Sequence, residues 1–217
     1  TESQKQAQTL APGAAQQQDK PSFVKVSPFN DYRLEGLKMD PPKELCPHIL
    51  VEHETTILFS GPGVGKTALA TQIAFELAEQ GMRVLVVNFE LSQQQLALRY
   101  PNKEFPNTLY HASIDYTKMH DVTDQNLILP EIERLAVERN IELIIIDNFT
   151  NLCINSKEAA EAGNIMVKLL AMRMTHNWTM LILAHVPKRK QGDPLTIDDL
   201  AGSKLLSNLA DNVIGFN

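Results

Sequence analysis

Apolar positions along this chain follow two periods. Short, largely β-branched runs recur at Thr56–Phe59, Arg83–Asn88, Leu109–Ile114, Leu143–Ile146, Met180–Ala184 and Val213–Phe216. Each reads as a strand, and the most continuous of them as strands buried on both faces. Between them, apolar residues fall at helical spacing. Leu69, Ile73 and Leu77 form a stripe flanked by Ala70 and Ala74, and Gly81 is a natural stop. Further helices are expected over about 92–99, from Pro130 with Ile132, Leu135, Ala136 and Arg139 inward, over 159–175 with Ala162, Ile165, Leu169 and Met172 inward, and over about 202–209. The methionines of the 159–175 helix read as core filler. Strands alternating with helices predict an α/β fold, a mainly parallel central sheet covered by helices on both faces. Ligands of such sheets bind at the C-terminal strand ends.

The pattern is absent upstream. Residues 1–22, rich in Gln, Ala and Ser, read as a disordered tail. Residues 23–47 are Pro-rich with scattered apolar side chains and read as an extended arm lying on the domain or on a neighbouring subunit. The folded domain is expected over 48–217. The first residue is Thr, which suggests a trimmed or partial chain.

Chemistry gathers where the strands end. After Phe59 comes Ser60-Gly61-Pro62-Gly63-Val64-Gly65-Lys66-Thr67-Ala68, a glycine-rich loop between a strand and a helix. In that context the loop matches a phosphate-binding loop, with Ser60 at the position of the usual first glycine. Its backbone N–H groups would cradle phosphates, Lys66 would reach the β- and γ-phosphates of ATP, and the Thr67 hydroxyl would hold Mg²⁺. The Arg83–Asn88 run leads into Glu90, a candidate for polarising the attacking water, or a helix-start acid favoured by the dipole. The Leu143–Ile146 run ends in Asp147, a candidate for the Mg²⁺ shell, or a cap of the following turn. The Met180–Ala184 run ends in His185, either a sensor of the γ-phosphate or a hydrogen-bonded core histidine.

Charge and composition narrow the partners. With 217 residues, 43% hydrophobic and 21% charged, the chain has enough apolar material for one domain with a sizeable core. A net charge of −6 argues against a wholly basic nucleic-acid coat protein, yet leaves room for a local basic loop. The densest such run is Lys188-Arg189-Lys190, placed after His185, where it would either contact a DNA backbone or be a solvated loop. Cys46 and Cys153 fit no metal spacing and no disulfide framework. With no apolar run long enough to span a bilayer, a cytoplasmic location and no membrane partner are expected.

The order of motifs resembles the RecA-like P-loop ATPases, in the branch of DnaB-type replicative helicases, plasmid RepA helicases and KaiC-like proteins, including AAA-type ATPases of bacterial mobile elements. FSGPGVGKTALATQIAFELAEQGMRVLVVNFELS is similar to the family's phosphate loop, helix, second strand and catalytic glutamate. IELIIIDNFTNL resembles its Walker B strand, MLILAHVPKRK its sensor strand and DNA loop, and DDLAGSKLLSNLADNVIGF the elements that follow. The resemblance spans roughly 48–216 and implies a three-layer fold, ATP and Mg²⁺ as cofactors, a homo-oligomer (ring or filament) and action on DNA. His185 stands where many helicases of the group carry Gln. The basic finger that completes a neighbour's ATP site, and the N-terminal domain of the helicases, have no counterpart here.

Two other readings stand beside an ATPase. One is a non-hydrolytic ATP-binding module that switches a protein partner. The other, a small-molecule kinase, ranks last because no Arg-rich lid is visible.

Overall fold

In the computed structural model the described residues are 24–118, 127–153, 159–186, 195–200 and 204–216. The chain divides into two units, Thr1–Pro41 and Pro42–Asn217. In the first, helix α1 (Phe29–Gly36) forms inside the stretch expected to be an extended arm, with Asp31 in its first turn at the favourable end of the helix dipole.

The second unit opens with an antiparallel hairpin, β1 (Glu44–Cys46) and β2 (Leu50–Val51). β1 also lies within the expected arm, and Leu50 is fully buried. There follow β3 (Thr55–Ser60), α2 (Lys66–Glu79), β4 (Val84–Asn88), α3 (Gln93–Arg99), β5 (Leu109–Ser113), α4 (Ile128–Glu138), β6 (Leu143–Asp147), α5 (Phe149–Leu152), α6 (Ala159–His176), β7 (Thr179–His185), α7 (Lys204–Leu209) and β8 (Asn212–Gly215). The last six strands form one parallel sheet in the order β5-β4-β6-β7-β3-β8. Every crossover therefore returns the chain to the same edge, and the C-terminal ends of β4, β6, β7 and β3 lie side by side. β7 separates the phosphate-loop strand from the one ending in Asp147.

The near-continuous apolar strands have a simple cause: both faces of the sheet are covered. In β6, Ile144 and Ile146 pack with Leu129, Ile132 and Ala136 of α4 and Met166, Leu169 and Met172 of α6. Leu143 and Ile145, pointing the other way, pack with Ala70, Ile73, Ala74 and Leu77 of α2. The expected parallel sheet with helices on both faces is thus what forms.

The differences are local. Arg139, expected inward, is exposed, and the buried stripe of α4 runs through Leu129, Ile132 and Ala136. The helix starts two residues before Pro130, whose missing N–H still falls in the first turn, where no intrahelical partner exists. In α6, Met166 takes the fully buried place expected of Ile165, which is half-buried. Among the described residues no helix is long and apolar enough to cross a membrane.

Candidate functional site

The phosphate loop needs glycine at two positions for backbone reasons. Gly63 and Gly65 have φ of 75° and 112°, while a Cβ at either would meet nothing within 4 Å. Conformation, not space, demands glycine there. Gly65 is the N-cap of α2, which has no side-chain cap and no acidic residue in its first turn. The first N–H groups of this helix are therefore left for an anion, and the positive end of the dipole is uncompensated.

Lys66, though a lysine, is buried. Its Nζ donates to Ser60 O at 2.9 Å, Gly61 O at 3.0 Å and Ser60 Oγ at 3.1 Å. Burial pushes its pKa down, and the nearby Glu90 and Asp147 carboxylates offset part of that push. Asp147 is buried at the end of β6, and burial pushes its pKa up. The adjacent Thr67 hydroxyl acts in the opposite sense, Glu90 adds to the rise, and His185 and Lys66 lower it. Two carboxylates and an ammonium thus sense one another across the strand ends.

Glu90 lies in the loop after β4. Its Oε1 accepts from His185 Nε2 at 2.9 Å and from Asn148 Nδ2. A carboxylate only accepts, so Nε2 of His185 carries the proton; Nδ1 is buried with no partner among the described residues. His185 is neither a core histidine nor a fully solvated one, being 32% exposed.

Two residues that the sequence did not single out position this group. Asn88 Oδ1 accepts from the N–H groups of Glu90 and Leu91, both at 2.9 Å, and Asn88 Nδ2 donates to Leu91 O at 2.8 Å. These bonds fold the Glu90 loop, while Phe89 N donates to Asp147 O at 2.8 Å and ties it to β6. Asn148, buried beside Asp147, caps α5 through Asn151 N and holds the Glu90 carboxylate with its amide. The signals were present: an asparagine at a strand end two residues before the acid is an Asx-turn candidate, and one before a helix an N-cap candidate. Glu90 also borders a cleft of about 570 Å³ with Leu91, Leu96, His111 and Ser113.

Lys66, Thr67, Glu90, Asp147 and His185 are therefore brought to one edge beside Gly61–Gly65. Pro62, Val64 and Ala68 lie exposed along the same loop and helix start. Lys188, Arg189 and Lys190 fall outside the described residues. For a divalent ion, Thr67 and Asp147 offer a hydroxyl and a carboxylate, hard oxygen donors of the kind Mg²⁺ takes alongside phosphate oxygens and water. No cluster of three or more His, Cys, Asp or Glu suited to a metal occurs among the described residues. That donor set fits an ion bound with a nucleotide better than a resident structural metal.

Known proteins resemble this chain in sequence and in fold. Residues 20–191 match the AAA domain family AAA_25. The DNA repair protein RadA of Synechocystis is 30% identical over 172 residues, covering 74% of this chain and 32% of RadA. RadA of Campylobacter jejuni is 27% identical over 174 residues, covering 77% and 34%. The chain thus spans about a third of the length of these relatives. A KaiC-like protein of Pyrococcus horikoshii shares the fold with a TM-score of 0.58 at 18% identity, over 76% of this chain and 71% of that one. The chain belongs to the AAA domain family AAA_25, among the RecA-like P-loop ATPases of the RepA, DnaB and KaiC type.

Proposed function

We propose that this domain binds Mg·ATP at the phosphate loop and hydrolyses it, and that it does so as part of a homo-oligomer acting on DNA in the cytoplasm. The observation that carries the hydrolytic reading is Glu90. Its carboxylate is held by side chains on the same strand edge as Lys66 and the uncapped start of α2. Phosphoryl transfer asks mainly for positioning and charge stabilisation. In this reading the N–H groups of Gly61 and of Gly63–Ala68 hold the phosphates and exclude bulk water from one side. Lys66 leaves its carbonyl partners to meet the β- and γ-oxygens. Glu90 accepts the proton of the attacking water, with Asn148 and His185 fixing its Oε1. Thr67 and Asp147 would hold Mg²⁺, which when bound would neutralise charge on the phosphates.

Action on DNA rests on less: the name of the RadA relatives and the basic run Lys188-Arg189-Lys190. A non-hydrolytic switch is the second reading. It is favoured by the engagement of Glu90 with Asn148 and His185, which leaves the base occupied in this conformation. Phosphate release from the wild-type chain, with and without single-stranded DNA, separates the two. The proposal expects Mg²⁺-dependent release that DNA stimulates and that changing Lys188, Arg189 and Lys190 together to Ala renders insensitive to DNA. Tight ATP binding with no release under either condition would establish the switch instead.

A further inference from the structure

Ser60 stands where a phosphate loop ordinarily begins with glycine, and the structure gives its side chain a partner. An ammonium has three N–H donors and no acceptor. Lys66 Nζ has three acceptors in reach: Ser60 O at 2.9 Å, Gly61 O at 3.0 Å and Ser60 Oγ at 3.1 Å. All three donors of the ammonium are therefore matched by acceptors of the protein itself. Two of these acceptors are backbone carbonyls that any residue at position 60 would preserve. The third exists only because that residue is serine.

The serine is itself fixed. Ser60 is fully buried at the end of β3 and pairs in register with His185. Its carbonyl also accepts from Val186 N at 3.3 Å, and its hydroxyl donates to Gly61 O at 3.1 Å. The hydroxyl oxygen is thus held facing Lys66, and both lie away from water.

We infer that Ser60 is a positioning residue that parks Lys66 at the base of the loop, so that an incoming phosphate must displace the Ser60 hydroxyl before the lysine engages it. This rests on the reading that the loop binds nucleotide phosphates. In a Ser60→Ala chain both carbonyls remain, but one buried N–H of the ammonium loses its partner. An unpaired charged donor is costly in the free protein and is satisfied again once a phosphate arrives. Removing the hydroxyl therefore destabilises the free state more than the bound one, and nucleotide affinity rises. A serine that merely shaped the loop would give the opposite sign, because a disturbed loop binds phosphate less well.

The test titrates the full chain and its Ser60→Ala and Ser60→Gly variants calorimetrically with a non-hydrolysable Mg·ATP analogue. Alongside, the acylation rate of Lys66 in nucleotide-free protein is read by mass spectrometry. Both variants are expected to bind about tenfold more tightly, the equivalent of about 1.4 kcal/mol, and their Lys66 to react faster than in the wild type. Ser60→Ala deletes a single buried atom, so it serves alone if the glycine variant folds poorly. Wild-type binding with equal or weaker binding by the variants would overturn this inference and leave the proposed function standing. Absence of binding by the wild type would overturn both.

Discussion

The two ends of the central sheet are both rimmed with polar side chains, yet they are built differently. At the N-terminal end the side chains finish largely on backbone, beside the side-chain pairs Asn212–Glu54 and Asn177–His53. Arg173 of α6 donates through a guanidinium NH₂ to His53 O and lies 3.5 Å from Asp211. Asp211 accepts from Thr55 N at 2.8 Å, Thr179 Oγ1 from His53 N at 2.9 Å, and His53 Nδ1 meets Asn177 O at 2.7 Å. These bonds fasten β3, β7 and β8 to α6. At the C-terminal end Glu90, His185 and Asn148 bond to one another, Asp147 is buried within reach of the charges of Glu90, His185 and Lys66, and Lys66 is held by Ser60 and Gly61. Backbone fastening there comes from Asn88, from the cap made by Asn148 and from the Lys66 ammonium on the Ser60 and Gly61 carbonyls. A polar residue at a strand end is thus not by itself a sign of chemistry. Side chains that can exchange partners next to an uncapped helix start are.

That contrast is open to experiment. Lys66→Ala should lower Mg·ATP affinity by about two orders of magnitude or more, the scale of losing a charged donor to a phosphate in a buried site, while moving the melting midpoint little, because the cost of burying the ammonium offsets its bonds to Ser60 and Gly61. Arg173→Ala should do the reverse. Losing the bonds to His53 and Asp211 should cost about 2 kcal/mol, or a midpoint lower by about 4–8 °C at this chain length, with nucleotide affinity per folded molecule intact. A large affinity loss in the arginine variant would erase the distinction between the two ends.

The smallest effect concerns Asp147 and has a definite sign. Burial raises its pKa in the folded protein, so the protonated form is the better tolerated one. The stability linked to this group is complete below the ordinary carboxylate range and is lost as pH rises through the raised value. Asp147→Asn should therefore raise the melting midpoint by a few degrees at neutral pH in Mg²⁺-free, nucleotide-free buffer. The difference should shrink as pH falls toward that range. Equal midpoints at neutral pH would mean that the folded protein tolerates the Asp147 carboxylate without penalty.

Much of this architecture was legible from residues alone. Leu143–Ile146 could only be a strand covered on both faces, and the strands before Gly61, Glu90 and His185 followed the same logic. Glu90, Asp147 and His185 were foreseeable because a parallel sheet delivers its strand ends to one side. What was not legible depends on distant neighbours. Arg139 fits the helical period of α4, but the helix ends at Glu138 and Arg139, its C-cap, is exposed. Asn88 and Asn148 look like turn and cap residues, and only the fold reveals that both bear on Glu90. Ser60 reads as a departure from a pattern until the position of Lys66 Nζ gives its hydroxyl a partner. Within the stretch expected as an extended arm, α1 forms over a short, polar segment whose sequence period was too brief to read.

The most direct test of a hydrolytic site at this strand edge is Glu90→Gln, measured for both Mg·ATP affinity and single-turnover phosphate release. The glutamine keeps the size and an acceptor for Asn148 and His185 but cannot take a proton. ATP affinity within about threefold of wild type, with release slowed by about 10²–10⁴-fold, the usual contribution of a general base, is the expected result. Unchanged release would remove Glu90 from the mechanism and contradict the assignment of this edge as the site of hydrolysis.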